Sequence, residues 1–210
     1  MEANIRIGYF LEDRGHEIFL KALTERVAKE IGLKHGDWIH DVRSATGGKS
    51  IQSYKHFLKD MSRTGMHHPF DVLIIASDGN CKGYLNKKTE LLNYSDQFNF
   101  PRSDIIVFAI PDPHIERWYM DDPHGFRNAM GSGALPDLPR YKCEKGFYKR
   151  VMREAIASAK VEPQFGGYEY GEKIVDRMDF YKACKEDHSL KHFLDDLRSL
   201  LTRIVTQDSA

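Results

Sequence analysis

The stretch VLIIASDGN, residues 72–80, carries the strongest structural signal in the sequence. Its first five residues are apolar without interruption, which is the pattern of a strand buried on both faces of a parallel sheet. The Asp78-Gly79-Asn80 that ends it could instead form a hairpin turn. The continuous apolar run before it, and the helical character of the segment after it, favour a strand followed by a helix.

The same alternation of strand and helix extends on both sides of this run. Four strands are predicted, at 5–11, 38–42, 72–76 and 105–110. Helical spacing of apolar residues follows each of them, at 13–31, at 49–61, around Leu85, Leu91 and Leu92, and after 111–113. This order favours an α/β fold with an open, mostly parallel sheet flanked by helices.

Residues 123–210 contain no convincing strand. Their helical patterns lie around 144–160 and 189–205. We therefore predict two units, an α/β domain over 1–122 and a helical C-terminal extension over 123–210. The extension is expected to pack on the sheet or on a partner.

Composition limits the classes of function. Lys plus Arg and Asp plus Glu both number 31, so the formal net charge is zero. This excludes a protein that grips nucleic acid through bulk positive charge alone, although a local basic groove stays open. A hydrophobic share of 41% and a charged share of 30% exclude intrinsic disorder. The apolar runs are too short to cross a membrane and the N-terminus lacks the pattern of a signal peptide, so we expect a cytoplasmic protein that does not engage a membrane.

The chain has three cysteines, Cys81, Cys143 and Cys184, which are odd in number and far apart. No Cys-x-x-Cys pair occurs, which argues against a zinc site built on thiolates. We expect reduced thiols, as in most cytosolic proteins.

Acidic side chains follow three of the four predicted strands. Glu12 and Asp13 come after the first strand, Asp78 after the third, and Asp112 and Glu116 after the fourth. Because the carboxyl ends of parallel strands meet at one edge, we expect these groups to lie close together, where a shared cation or proton relieves their repulsion. Mg²⁺ and Mn²⁺ prefer such oxygen ligands and can activate a water against a phosphodiester. Asp13 and Asp112 also have a structural interpretation as helix caps.

Glu116 is the most informative of these carboxylates. On a helical projection it falls inside the apolar arc, between Tyr119 and Met120, whereas Arg117 and Asp121 point outward. A carboxylate in an apolar arc is costly unless it is paired or bound to a metal. A buried salt bridge and a metal site are both open for Glu116.

Two further motifs are weaker. The segment 47–50, GGKS, has the end of a phosphate-binding loop, but Arg43 stands where that motif needs its first glycine. A glycine pair before a helix can still cradle a phosphate. His188 and His192 have a spacing that can hold zinc, but without a third ligand a solvated helix face is favoured.

Three of these segments together suggest a family. Glu12 after the first strand, the aspartate motif at Asp78, and AIPDPHIERW at 109–118 resemble a Toprim-type domain. They are similar, more closely, to small bacterial Toprim-like proteins that are often encoded beside an AAA or ABC-type ATPase and are related to the overcoming-lysogenization-defect nucleases. The resemblance covers about residues 5–122.

The resemblance implies a metal-dependent, nuclease-like subunit of a prokaryotic anti-phage defence system, acting with an ATPase partner on DNA or RNA. Glu12, Asp78 and Glu116 would be the catalytic residues, and the same three with Asn80 would hold Mg²⁺ or Mn²⁺. The general base stays open between a metal-bound water and three side chains, His114, Lys49 and Lys82.

One residue departs from the family pattern. Toprim domains usually carry Asp-x-Asp after the third strand, and the second position here is Asn80. The departure supports a competing hypothesis, a non-catalytic module that keeps only a regulatory metal or nucleotide site and assembles with the ATPase.

The neutral net charge implies that much of the binding energy for nucleic acid is supplied elsewhere. We expect a docking surface for the partner ATPase or for a second copy of the chain in the region after Pro123. The last helix, which carries Phe193, Leu197 and Leu201, belongs to that region.

Overall fold

The computed structural model describes residues 4–45, 50–63, 70–98, 100, 103–138 and 141–208. Its sheet has four strands in the order β2-β1-β3-β4, and all neighbouring strands run parallel. The strands are β1 (Ile5–Leu11), β2 (Trp38–Ser44), β3 (Val72–Ala76) and β4 (Ile106–Ala109). The prediction of an α/β fold with an open parallel sheet is confirmed.

Nine helices occur in the described part of the chain. They are α1 (Arg14–Glu30), α2 (Ser50–Arg63), α3 (Tyr84–Gln97), α4 (Ile115–Met120), α5 (Pro123–Met130), α6 (Phe147–Ser158), α7 (Gly171–Arg177), α8 (Phe180–Glu186) and α9 (His188–Asp208). Two 3-10 turns add Ser103–Ile105 and Tyr168–Tyr170.

Helices cover both faces of the sheet, which explains the uninterrupted apolar run of β3. Val72, Ile74 and Ala76 join one buried cluster, and Leu73 and Ile75 join another. The first cluster also contains apolar side chains of α1 and the C-terminal helices, and the second contains those of α2 and α3. Successive residues of a strand point to opposite faces, so a strand covered on both sides needs apolar residues at every position.

The C-terminal helix α9 belongs to the core of the first face. Phe193, Leu197 and Leu201 are fully buried in the same cluster as Ile7 and Val72. Burial of one such side chain contributes about 1.5–3 kcal/mol to folding. The chain's own core therefore covers these three side chains. A docking surface in the region after Pro123 stays a prediction.

Arg117 and Asp121 are also covered, contrary to the projection that placed them outward. The Arg117 Nε lies 3.1 Å from the Asp187 Oδ2 and 3.5 Å from the Asp121 Oδ1. Asp187 directly precedes α9 and accepts hydrogen bonds from the backbone N–H groups of Ser189 and Leu190. The start of α9 therefore buries a face of α4 that the local sequence pattern assigns to solvent.

One of the two predicted helix caps is confirmed and the other is wrong. Asp13 is the N-cap of α1, and its Oδ1 accepts a hydrogen bond from the His16 N–H at 3.0 Å. Asp112 does not cap α4, because that helix begins at Ile115 with His114 at the N-cap. The Asp112–Pro113 peptide bond is cis, and the carboxylate of Asp112 binds two other segments.

The expectation of three reduced thiols is corrected by a disulfide between Cys81 and Cys143, whose Cα atoms are 5.9 Å apart. Cys184 is free and partly buried. The bonded cysteines are 62 positions apart in the sequence, which gave no sign of this proximity. Among the described helices, none has the length and apolar character needed to cross a membrane.

Candidate functional site

The carboxyl edge of the sheet brings Glu12 next to the turn after β3. The Glu12 Oε2 accepts hydrogen bonds from the Ser77 Oγ at 2.8 Å and from the Asp78 N–H at 2.9 Å. β1 and β3 are neighbours in the sheet, so their ends deliver these residues to one place. The predicted convergence of the first and third strand ends follows directly from this strand order.

Asp78 is the centre of the site. Its Oδ1 accepts a hydrogen bond from the Ile115 N–H at 3.0 Å and lies 3.2 Å from the His16 Nε2. Its Oδ2 lies 3.1 Å from the His114 Nδ1. Both carboxylate oxygens are therefore engaged, one histidine being supplied by α1 and the other by the loop after β4.

His16 is fully buried between two carboxylates. Its Nδ1 lies 2.9 Å from the Asp13 Oδ1, while the contact of Nε2 with Asp78 does not have regular hydrogen-bond geometry. Burial alone would lower the pKa of His16, but hydrogen bonds and charges of Asp13 and Asp78 outweigh burial and raise it to about 10. His16 is therefore a cation at neutral pH.

His114 is the more accessible of the two histidines, with 21% of its side chain exposed. The hydrogen bond to Asp78 raises its pKa against the opposing effect of burial, and the charges of Glu116 and Glu12 add to the rise. Burial acts to raise the pKa of Asp78, but the contacts with His114 and His16 outweigh burial and lower it. The result is a His–Asp–His cluster in which each group stabilises the charge of its neighbour.

Glu116 is buried, as the helical projection predicts, with 8% of the residue exposed. Its Oε1 accepts a hydrogen bond from the Tyr168 hydroxyl at 2.6 Å, and no ion pair of Glu116 is seen among the described residues. The metal site stays a prediction. Burial, together with the charge of Glu116, raises the pKa of Tyr168, so the tyrosine stays a proton donor.

Tyr168 reaches the site from the C-terminal region. Its ring packs so closely on Gly15 that a Cβ there would lie 2.8 Å from the ring. Glu169 holds the turn by accepting hydrogen bonds from the backbone N–H groups of Gln164, Phe165 and Gly167. Residues after position 122 therefore contribute to the site.

Sequence reasoning did not identify His16 and Tyr168. His16 precedes the buried Phe19 and Leu20 by three and four residues, so it lies on the core-facing side of α1. That periodicity is a signal for a buried histidine in need of a partner. Tyr168 stands 52 residues from Glu116, and no local pattern connects them.

Asn80 is exposed, and its side-chain Nδ2 donates to the carbonyl oxygen of Asp78 at 3.1 Å. Its backbone is left-handed, with φ 49°, a conformation that asparagine tolerates better than most residues. Lys82, one of the candidate bases, forms an ion pair with Glu90 at 2.8 Å. Lys49 and the glycine pair before it lie outside the described residues.

His188 and His192 lie in the first turns of the last helix. Both are exposed on α9, and the ring of His192 stacks on Tyr84 with centroids 4.7 Å apart. This agrees with the interpretation of a helix face.

The donor chemistry at the sheet edge fits a hard divalent cation only in part. Glu12 Oε1 and Glu116 Oε2 make no hydrogen bond to the described residues, and carboxylate oxygens are the ligands such an ion prefers. Asp78, however, has both oxygens engaged by His16, His114 and the Ile115 N–H. Within the described residues, no three His, Cys, Asp or Glu side chains are arranged to hold a metal ion. A cation that binds Asp78 would compete with these contacts.

A cavity of about 410 Å³ lies beside α4. Arg117 and Asp121 line it from α4, and Lys182, Lys185 and Glu186 line it from α8. The lining mixes both signs of charge, so it favours no single class of ligand.

Comparison of the chain with protein-family models, with curated proteins and with solved structures found no match in any of the three. The resemblance to Toprim-like proteins therefore remains a prediction from motifs, and the functional argument rests on the geometry of the site.

Proposed function

We propose that this chain is a metal-dependent, nuclease-like protein that cleaves phosphodiesters in an anti-phage defence system with an ATPase partner. One observation carries the proposal. Hydrogen bonds link Glu12, Asp78 and His114 at the carboxyl edge of a parallel sheet, and the charge of Glu116 acts on His114. This edge is where open α/β sheets place their ligands.

The proposed ligands of Mg²⁺ or Mn²⁺ are Glu12, Asp78 and Glu116, and the ion would polarise the phosphodiester and activate a water. Glu12 and Glu116 each keep one oxygen free of hydrogen bonds to the described residues. His114 is the accessible member of the cluster, and it would donate a proton to the leaving oxygen. His16 would keep Asp78 ionised and in place.

The ATPase partner is what the resemblance implies, and the neutral charge of the chain is compatible with it. With a formal net charge of zero, the chain has no overall excess of positive charge to attract a nucleic acid, so part of the phosphate contacts would come from a partner. An ATPase subunit that carries a basic nucleic-acid channel would supply them and present the strand to this site.

Cleavage assays test the proposal. Purified protein, alone and with an ATPase encoded beside it, is incubated with plasmid DNA, single-stranded DNA and tRNA in Mg²⁺, Mn²⁺ or chelator. We expect metal-dependent cleavage that falls at least about 100-fold in Glu12→Gln, Asp78→Asn and Glu116→Gln. The exposed Glu162→Gln serves as the matched control. Cleavage that persists in chelator, or that is equal in all four variants, would contradict the assignment.

A second candidate is a non-catalytic binding module that assembles with the same ATPase. It is favoured by one observation, the engagement of both Asp78 oxygens by His16, His114 and the Ile115 N–H. Titration calorimetry with Mn²⁺ and with nucleoside triphosphates distinguishes the two. Binding of the partner or a nucleotide without Mn²⁺ binding and without cleavage would favour the module.

A further inference from the structure

The turn that follows Asp78 is tied covalently to a distant segment. Cys81 lies in this turn, and Cys143 lies in the segment 141–146 that leads into α6. Both cysteine residues are exposed, as are all residues of 141–146. The disulfide is therefore open to thiol reagents from solvent.

A carboxylate reinforces the same connection. The Asp112 Oδ1 accepts a hydrogen bond from the Cys81 N–H at 3.1 Å, and the Asp112 Oδ2 accepts one from the Tyr141 hydroxyl at 2.9 Å. Asp112 lies in the loop after β4. The disulfide and Asp112 thus join three segments, namely the turn after β3, the loop after β4, and 141–146.

The first two of these segments carry the candidate site. The Gly79 N–H donates to the Pro111 carbonyl at 2.7 Å, and the Asn80 N–H donates to the Pro113 carbonyl at 3.0 Å. Asp78 immediately precedes this pairing and His114 immediately follows it. A change in the turn at Cys81 would therefore reach the Asp78–His114 contact through one or two residues.

The backbone at Cys81 needs this support. Its φ is 67°, in the left-handed region that residues with a Cβ rarely adopt, and Asn80 before it has φ 49°. Such a conformation persists where surrounding bonds determine it. At Cys81 those bonds are the N–H to Asp112 and the disulfide to Cys143.

Segment 141–146 has little else to hold it. It contains no helix or strand. Its side chains other than Tyr141 and Cys143 make exposed contacts, which include the ion pairs of Glu144 and the contact of the Lys142 ammonium with the Phe147 ring. Its backbone is held by hydrogen bonds to residues of α6, such as that from the Lys142 N–H to the Tyr148 hydroxyl. Exposed ion pairs contribute little to stability. The disulfide is the strongest of these attachments.

We propose that the Cys81–Cys143 disulfide is a redox-sensitive latch that orders the loops of the candidate site. A dithiol reductant opens it by thiol–disulfide exchange. The reductant loses two electrons and two protons and becomes a disulfide, and Cys81 and Cys143 each gain one electron and one proton and become thiols. Release frees 141–146 and relaxes the turn that carries Cys81. That this regulates cleavage rests on the proposed function, whereas the latch itself does not.

Hydrogen exchange with mass spectrometry tests the latch. A non-reduced digest is first searched for the linked peptides of Cys81 and Cys143. Exchange is then measured on oxidised protein, on protein reduced with dithiothreitol, and on Cys143→Ser. Cys184→Ser is the matched control, because Cys184 is the free cysteine. If Cys143→Ser fails to fold, exchange measured on the reduced wild type still shows whether opening the disulfide loosens these loops.

We expect exchange in 79–83 and 141–146 to rise by roughly tenfold on reduction and in Cys143→Ser, with β3 and α9 unchanged and Cys184→Ser like wild type. Absence of the linked peptide, or equal exchange in the oxidised and reduced proteins, would overturn the proposal. A cleavage assay on the two redox forms keeps the hypotheses apart. If reduction changes hydrogen exchange but neither form cleaves, the latch is supported and the nuclease is not. If the protein cleaves and reduction does not change hydrogen exchange, only the latch is overturned.

Discussion

At the scale of single residues, the site is organised by hydrogen bonds to buried carboxylates. Asp78 is held between His16 and His114, and Glu116 is held by Tyr168. Buried charges are costly without partners, so each carboxylate here depends on one or two specific donors. Substitution of a donor should therefore have a measurable effect on stability as well as on any activity.

Tyr168→Phe should remove the partner of a buried carboxylate. The ring is kept, so its packing on Gly15 is retained, and the loss of the hydroxyl should destabilise the fold by about 1–3 kcal/mol. Urea unfolding measures the change. Tyr170→Phe in the same turn is the control, since no hydrogen bond of its hydroxyl is seen among the described residues. Equal losses in the two variants would contradict the role given to Tyr168.

Asn80→Asp distinguishes the metal site from the module. Aspartate also tolerates the left-handed backbone at this position, and a carboxylate beside Asp78 should be drawn to a bound cation more than it is repelled by its neighbours. We expect the variant to gain more thermal stability from Mn²⁺ than wild type does.

In chelator, the same variant should lose roughly 1 kcal/mol, because like charges are then crowded. Thermal melts with and without Mn²⁺ give both numbers, with the exposed Asn93→Asp as the control. A variant that melts lower and gains nothing from Mn²⁺ would favour the non-catalytic module.

At the scale of elements, the position of α4 is set by the segments that pack against it. Glu116 and Tyr119 on one side meet Tyr168, and Arg117 and Asp121 on the other meet the start of α9 at Asp187. The helix is only six residues long, so its position depends on these tertiary contacts more than on its own hydrogen bonds.

Asp121 should make stability fall with rising pH. Burial first, and then the charge of Asp187, raise its pKa well above the ordinary value, against the effect of Arg117. Arg117 lies closer to Asp187 than to Asp121, which supports this direction. A carboxyl whose pKa is raised in the folded state binds its proton more tightly there than in the unfolded chain. Its contribution to the free energy of unfolding is therefore fully present below the unfolded pKa of about 4, and it is lost as pH rises through the folded pKa.

Asp121→Asn should therefore be more stable relative to wild type at pH 8 than at pH 4. Denaturant unfolding across that range measures the difference. The exposed Asp137→Asn provides the baseline. A difference that does not depend on pH would show that Asp121 is ionised throughout.

At the scale of the whole molecule, the sheet lies between two buried clusters, and the C-terminal helices complete the first of them. The turn 168–170 then carries Tyr168 from that same region to the sheet edge. Residues beyond 122 therefore contribute both to the core of the fold and to the candidate site.

Leu197→Ala should destabilise the whole fold, because Leu197 is fully buried in the first cluster. Truncation of a buried leucine costs about 2–5 kcal/mol. Leu85→Ala, at a residue that is 72% exposed, should change stability by less than about 0.5 kcal/mol. Chemical denaturation compares the two, and a near-neutral Leu197→Ala would mean that α9 does not belong to the core.

The sequence alone determined the four strands and the principal helices, because hydrophobic periodicity is a local property. The uninterrupted run at 72–76 predicted a strand covered on both faces, and the 3.6-residue spacing around Glu116 predicted its burial. Strand ends that meet at one edge also placed Glu12 beside Asp78.

Tertiary structure alone decided which groups satisfy those carboxylates and what covers the outer face of α4. Tyr168 meets Glu116 across 52 residues, Arg117 meets Asp187 across 70, and Cys81 meets Cys143 across 62. No local periodicity encodes such pairs, because they exist only once helices from the far end of the chain pack against the sheet. The site's charge balance is a property of that packing, and so it could not be predicted from the strand-end motifs.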